Sequence, residues 1–258
     1  MLARHRDPRI VPLELWDLIV DGAPLYRHER DADFGAALAR GVESLIDGVA
    51  VSESGARFPA ACSELRQVVL VGGAASAIRW ASARVPAEHA EDPEGWAERG
   101  GQAILARLGA RGLVVDLGQS RLKISGARRR VYDRDFARIP VSPRPVTATG
   151  RGELITFVAA ALREAADAEP PQALVLALPC EIAADGTLAT CSYPWPAGDP
   201  IVPAILAAAG LADVPGALLN DAELAAIGVA GRGRVDAPTL VLTLGFGLGA
   251  ALILRSEP

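Results

Sequence analysis

At 258 residues, half of them apolar, the chain can bury one large core or two ordinary ones, which excludes a disordered protein. Its 26 basic against 31 acidic residues, a formal net charge of -5, argue against a broad polyanion-binding face and so against nucleic acid or an anionic membrane as partner. Every apolar stretch is broken well before the ~20 residues of a membrane span, and the opening "MLARHRDPR" has no apolar signal core, so a soluble, cytoplasmic protein is expected. Cys62, Cys180 and Cys191 are too few and scattered for a disulfide framework, and with His5, His28 and His89 isolated they offer no zinc site.

In chain order, "DFGAALARGVESLIDGVAV" (33 to 51) sets Phe34, Leu38, Val42, Leu45 and Ile46 at helical spacing. "QVVLVGG" (67 to 73) reads as a buried strand followed by a helix, and "GWAERGGQAILARLG" (95 to 109) as a further helix. Three short strands make a meander: "GLVVDLG" (112 to 118), "SRLKISG" (120 to 126) and "RVYDRDF" (130 to 136). The basic "GARRRVYDR" within it reads as a solvated turn, and "ARIPVSPRPVTATG" (137 to 150) as a connector. Then come a helix in "GELITFVAAALREAADA" (152 to 168), a strand in "ALVLALP" (173 to 179), apolar enough to be covered on both faces, and a strand in "GALLND" (216 to 221). The helix "DAELAAIGVAG" (221 to 231) leads to a last hairpin, "TLVLTLG" (239 to 245) and "GAALILR" (249 to 255). The implied class is α/β, with mixed sheets forming two systems.

Four stretches carry residue types suited to chemistry. In "VVDLGQSRLKIS" an Asp at a strand end precedes a tight polar turn, so Asp116 could hold a cation's water shell and Lys123 could meet phosphate, although Asp-x-Gly also serves as a plain turn. In "ALLNDAELAAIG" a strand ends in Asn220-Asp221 where a helix starts, which suits a hydroxyl-orienting amide beside a proton-accepting carboxylate, and equally suits an N-cap. In "LTLGFGLGAAL" the alternate glycines Gly245, Gly247 and Gly249 let backbone amides approach phosphate, or else form a bulged hairpin. In "VVLVGGAASAIRW" the small residues Gly72, Gly73 and Ala74 let a flat ligand lie against the backbone.

Together these stretches resemble the actin, chaperone and sugar-kinase superfamily of ATP-dependent phosphotransferases, and within it are most like the ROK-type sugar kinases. "VVDLGQSRLKI" is similar to that family's first phosphate motif, "LLNDAELAAIG" to its Asn-Asp segment, and "LVLTLGFGLGAALIL" to its second phosphate motif. "ALVLALPCEIAADGTLATCSYPWP" resembles its segment with a Trp-containing substrate loop. The adenosine motif, which should follow the second phosphate motif, has its match earlier, in "VVLVGGAAS".

The resemblance therefore implies two ribonuclease-H-like lobes in circularly permuted order, mixed sheets flanked by helices. Residues 1–109 would supply part of the nucleotide lobe, 110–215 the first lobe, and 216–258 the segment completing the nucleotide lobe. It implies an ATP-dependent kinase of a small hydroxylated substrate, a sugar or sugar derivative. Asp221 would be the base. Asn220, Tyr193 and Trp195 would hold the substrate, and Asp116 would position Mg2+ through water. Gly118, Gln119, Ser120, Lys123, Gly245, Gly247 and Gly249 would surround the phosphates of ATP, with Gly72, Gly73 and Ala74 at adenosine. Assembly as a homodimer stays open. Phe246 stands where the family has Thr or Ser, Tyr193 where it has Asn, and the ROK zinc signature is absent. Those departures support a second reading, a non-catalytic ligand-sensing or partner-binding protein on the same fold.

Overall fold

The computed structural model describes residues 2–29, 31–53, 55, 57–118, 121–133, 148–189, 195–245 and 247–256. The connector 137–147, the end of the third meander strand and the site candidates Gln119, Ser120 and Tyr193, with Phe246, lie outside them. Strands in the first part of the chain are β1 (Leu2–Arg4), β2 (Ile10–Leu13), β3 (Ile19–Val20), β4 (Ala23–Pro24), β5 (Gln67–Val71) and β6 (Ala87–His89), with α1 (Phe34–Ile46) between β4 and β5. There follow α2 (Trp96–Arg107), β7 (Gly112–Leu117), β8 (Arg121–Ser125), β9 (Arg129–Asp133), α3 (Ala148–Ala168), β10 (Ala173–Leu178), α4 (Ile201–Ala209), β11 (Gly216–Asn220), α5 (Asp221–Ala230), β12 (Thr239–Leu244) and β13 (Leu248–Ile253). The class is α/β with mixed sheets flanked by helices. Among the described residues no helix is long and apolar enough to cross a membrane.

The chain divides into two compact units, Met1–Arg6 with Glu98–Leu224, and Asp7–Ala97 with Ala225–Pro258. In the first, the strand order is β1-β11-β10-β7-β8-β9. β7, β10, β11 and β1 run parallel, while β8 is antiparallel to both β7 and β9. The core forms where Leu113, Val115, Leu117, Leu122 and Ile124 of the sheet meet Leu154, Val158, Leu162 and Ala165, the inward stripe of α3. On the other strand face α2 approaches so closely that a Cβ on Gly101 would lie 2.3 Å from Val114 Cγ1. Every residue of β10 is buried, as its unbroken apolar run requires of a central strand.

In the second unit the order is β2-β13-β12-β5-β6, with β5 and β6 parallel to β12, and β13 antiparallel to β12 and β2. Leu38, Val42 and Leu45 of α1 pack on Val68, Leu70, Leu240, Leu242 and Leu252. Two departures from expectation follow from particular contacts. Residues 216–224, expected to complete the nucleotide lobe, belong with the first unit, because β11 pairs along its whole length with β10. β1 goes with them, in register with β11 from Leu2↔Gly216 to Arg4↔Leu218, and so do residues 98–109, expected in the nucleotide lobe, because α2 packs through Gly101 on Val114 of β7. No α-helix follows Gly73 directly either. A single 3-10 turn at Ala75–Ala77 gives way to extended Ile78, and the Arg79 carbonyl packs so close to α1 that only a glycine fits opposite, at Gly35.

Alanine at an exposed helical glycine gains about 1 kcal/mol of helix propensity. At Gly101 the new methyl meets the stiff, β-branched Val114, and overpacking of this kind costs about 1–3 kcal/mol, so G101A should lower unfolding free energy on balance. Denaturant titration of G101A and of G101A/V114A tests this: the second change should remove the steric part of the loss.

Candidate functional site

The parallel register of β7, β10 and β11 brings their carboxyl ends to one edge of the sheet, the usual ligand side of an α/β unit. Ala177 of β10 is level with Asp116 on one side and Leu219 on the other, so Asp116 lies one step behind Asn220 and two strands, about 10 Å, across from it. Lys123 is the cross-strand partner of Asp116, with Nζ 3.7 Å from Oδ2 and both side chains largely covered. Gly118 ends the strand where a Cβ would come within 3.1 Å of the Arg121 carbonyl oxygen.

Asp221 opens α5 directly after β11. Burial, and after it the negative charge of Asp116, push its carboxyl from 3.8 up to about 7. Hydrogen bonds from the backbone amides at Ala222 and Asp221 oppose the rise, and Glu223 adds a smaller push. The Ala222 amide donates to Asp221 Oδ1 at 2.8 Å and to Asn220 Oδ1 at 2.8 Å. Asn220 therefore caps the helix, while its Nδ2 donates to the Cys180 carbonyl at 3.0 Å and ties the cap to the exit of β10. Glu223 completes a capping box by accepting from the Asn220 amide through Oε2 at 3.0 Å. Its carboxylate also receives Arg4 Nη2 at 2.6 and 2.8 Å.

Trp195, expected to reach a substrate, is fully buried in the core with Ile182, Leu188 and Ile201, so its ring is packing rather than lining. Cys62 is free and buried, and Cys180 is disulfide-bonded, which three scattered cysteines did not suggest.

In the second unit the exits of β5 and β12 meet. Gly72 has φ +96°, and a Cβ there would fall 2.3 Å from the Leu244 carbonyl oxygen, so both backbone angle and space demand glycine. The Ala74 amide donates to that same carbonyl at 3.0 Å, and the Gly72 amide to the Pro93 carbonyl at 2.7 Å. Gly73 has Glu94 Oε1 3.2 Å from its would-be Cβ. The turn after β12 closes with the Gly245 amide donating to the Gly247 carbonyl at 3.1 Å, while Gly249 sits inside β13 opposite Thr243. A Cβ on Gly245 or Gly247 would meet nothing within 4 Å. The structure thus joins Gly72 and Ala74 to the end of β12, and separately joins Asp116, Lys123, Asn220 and Asp221 at one edge of the first sheet.

No protein-family model matches the chain, and no curated protein does. Among the described residues no three His, Cys, Asp or Glu side chains are grouped to hold a metal ion. A hard cation such as Mg2+ needs less, since one or two carboxylates with water and phosphate suffice. Asp116, a strand-end carboxylate beside Asp221, fits that donor chemistry.

Arg4 and Glu223 are the site residues that the sequence reading did not single out. "NDAE" does carry a readable capping pattern, an N-cap amide followed three positions later by Glu. Nothing in the sequence near Arg4 announces its partner.

The raised Asp221 pKa fixes the sign of a stability effect. A carboxyl raised on folding costs nothing while protonated in both states, below about 3.8, and its cost is complete above about 7. The isosteric D221N should therefore be more stable than the parent at pH 8, by up to about 4 kcal/mol, with the difference shrinking to nothing towards pH 4. Thermal unfolding of both proteins across pH 4–8 measures it.

Proposed function

We propose that this chain is an ATP-dependent phosphotransferase that phosphorylates a hydroxyl of a small substrate, a sugar or sugar derivative. The observation that carries the proposal is Asp221, a carboxylate at a helix start on the ligand edge of a parallel sheet, with its pKa brought to about 7. A base is most effective when its pKa lies near working pH, and burial beside a second carboxylate is a usual way to raise it there.

The two sheets support a pair of ribonuclease-H-like lobes in permuted order. Each has a first strand flanked on one side by two antiparallel steps and on the other by two parallel strands: β7 with β8-β9 and β10-β11, and β12 with β13-β2 and β5-β6. In the first unit those five strands follow one another along the chain. In the second the leading pair, β12 and β13, comes last, and β13 pairs with β2 from Ala250↔Leu13 to Ile253↔Ile10. The Leu254 amide reaches the Arg9 carbonyl at 2.7 Å, where an unpermuted chain would make its hairpin turn.

In the reaction Asp221 accepts the proton of the attacking hydroxyl as that oxygen bonds to the γ-phosphorus of ATP and the bond from that phosphorus to the β-phosphate oxygen breaks, with ADP leaving. Asn220 keeps one amide hydrogen and acceptor capacity beyond its cap bonds, with which it orients the acceptor. Lys123 offers positive charge beside Asp116. In the second unit the amides of Gly72, Ala74 and Gly245 are engaged inside their turns; Gly247 would offer its amide to phosphate oxygens, and Gly73 would lie against adenosine. Mg2+ held by Asp116 through water would neutralise phosphate charge, which is the larger part of catalysis in phosphoryl transfer.

Incubation with ATP labelled in the γ-phosphate, Mg2+ and a panel of hexoses, hexosamines and N-acetylhexosamines tests the proposal. Labelled sugar phosphate is expected, with kcat/KM rising through about pH 7 as Asp221 loses its proton. D221N should lose transfer by at least about a thousandfold while calorimetry still shows Mg-ATP binding. If the parent protein binds no Mg-ATP, the phosphotransferase reading falls and the ligand-sensing one takes its place.

A further inference from the structure

A buried arginine stands beside the start of α5 and takes no part in the chemistry proposed above. Arg4 ends β1, which joins the sheet through β11 alone and so delivers its last side chain to the same carboxyl edge. The Arg4 and Glu223 side chains are only 5% and 6% exposed. Arg4 Nη2 donates to both Glu223 oxygens, Nε to the Ile182 carbonyl at 3.1 Å, and Nη1 to the His5 carbonyl.

Stability alone does not require this arrangement. A buried ion pair has to recover the cost of removing two charges from water, and well-packed apolar residues often do as well in its place. What the pair does supply is a carboxylate fixed at the third position of α5. From Glu223 the connection runs to the Asn220 amide, and Asn220 Oδ1 shares the Ala222 amide with Asp221 Oδ1.

We propose that Arg4 is a positioning residue for Asp221: by holding Glu223 against the first turn of α5, it keeps the Asp221 carboxylate in one orientation. The proposal rests on Asp221 being the base, and its structural half can be read without activity. The Ala222 amide, shared between Asp221 Oδ1 and Asn220 Oδ1, reports on whether the first turn of α5 holds both acceptors in place. The charged groups around Asp221 are Asp116 from β7, with Lys123 of β8 paired to it, and Glu223 with Arg4 from α5 and β1.

The test compares R4M with R4M/E223M. R4M leaves Glu223 buried and uncompensated and is expected to lose stability, whereas the double variant replaces the pair by apolar side chains and is expected to recover it. In both, the Ala222 amide should exchange with solvent at least about tenfold faster than in the parent, while amides of β7 and β10 keep their protection. With Mg-ATP and the sugar phosphorylated by the parent, kcat should fall about a hundredfold with little change in KM for ATP, since a misdirected base slows transfer without loosening the nucleotide. A double variant that regains kcat and Ala222 protection along with its stability would reduce Arg4 to a structural role and overturn the proposal. So would unchanged Ala222 exchange in a folded R4M. Should R4M fail to fold, the double variant carries the comparison. If the parent phosphorylates no sugar of the panel, the proposed function fails on its own account, and Ala222 exchange alone decides the positioning.

Discussion

Two carboxylates share the carboxyl edge of one sheet, and the local structure around them is arranged to tolerate their charge. Asp116 has Lys123 across the hairpin, whereas Asp221 has two backbone amides and a position that burial makes expensive. Burial and the neighbouring negative charge raise the Asp221 carboxyl to about 7, which is how this edge can offer a proton acceptor near neutral pH. The position is set by the register of β10, level at Ala177 with β7 on one side and β11 on the other. A slip of one residue in either pairing would turn the alternating side chains to the opposite face and separate the two acids.

The helix that carries Asp221 is held at its start by side chains rather than by propensity. Asn220, Glu223 and Arg4 form a connected set around the first turn, with Cys180 and Ile182 supplying carbonyls from the end of β10 and the segment after it. Positions that need a defined carboxylate direction are better served by such a network than by a loop, because each member restricts the rotamers of the next.

Much of this was legible in the sequence, and the failures have local causes. The eight strands expected from the sequence are all present: burial on both faces leaves an unbroken hydrophobic string in β10 and a nearly unbroken one in β12, while the partly exposed β8 and β9 show as alternating runs between turns. β1 and β6 are three residues each and carry charge, so no period can develop in them. α4 was hidden by Pro203, a residue that reads as a breaker but falls in the first helical turn, where the lost amide has no partner to miss. Gly72 and Gly73 were legible as a special turn, and the tight approach to Leu244 is the reason. Trp195 was not: an indole in a polar, Pro-rich stretch looks like lining until its neighbours are known to be Ile182, Leu188 and Ile201. Arg4 and Glu223 lie at opposite ends of the chain, and no local pattern encodes a pairing of that range.

The pairing of β13 with β2 has a consequence for how the molecule is made. Residues Ile10 and Ile253 are about 240 positions apart, so the ladder between them closes only after the chain through Ile253 has left the ribosome. By then all of the first unit's chain, through Leu224, has emerged. The second unit's early strands β2 and β5 must wait for β12 and β13, with their pairing edges unfilled. During synthesis that half of the protein is an incomplete sheet seeking two strands, the condition in which a chaperone or a neighbouring copy competes for the same edge.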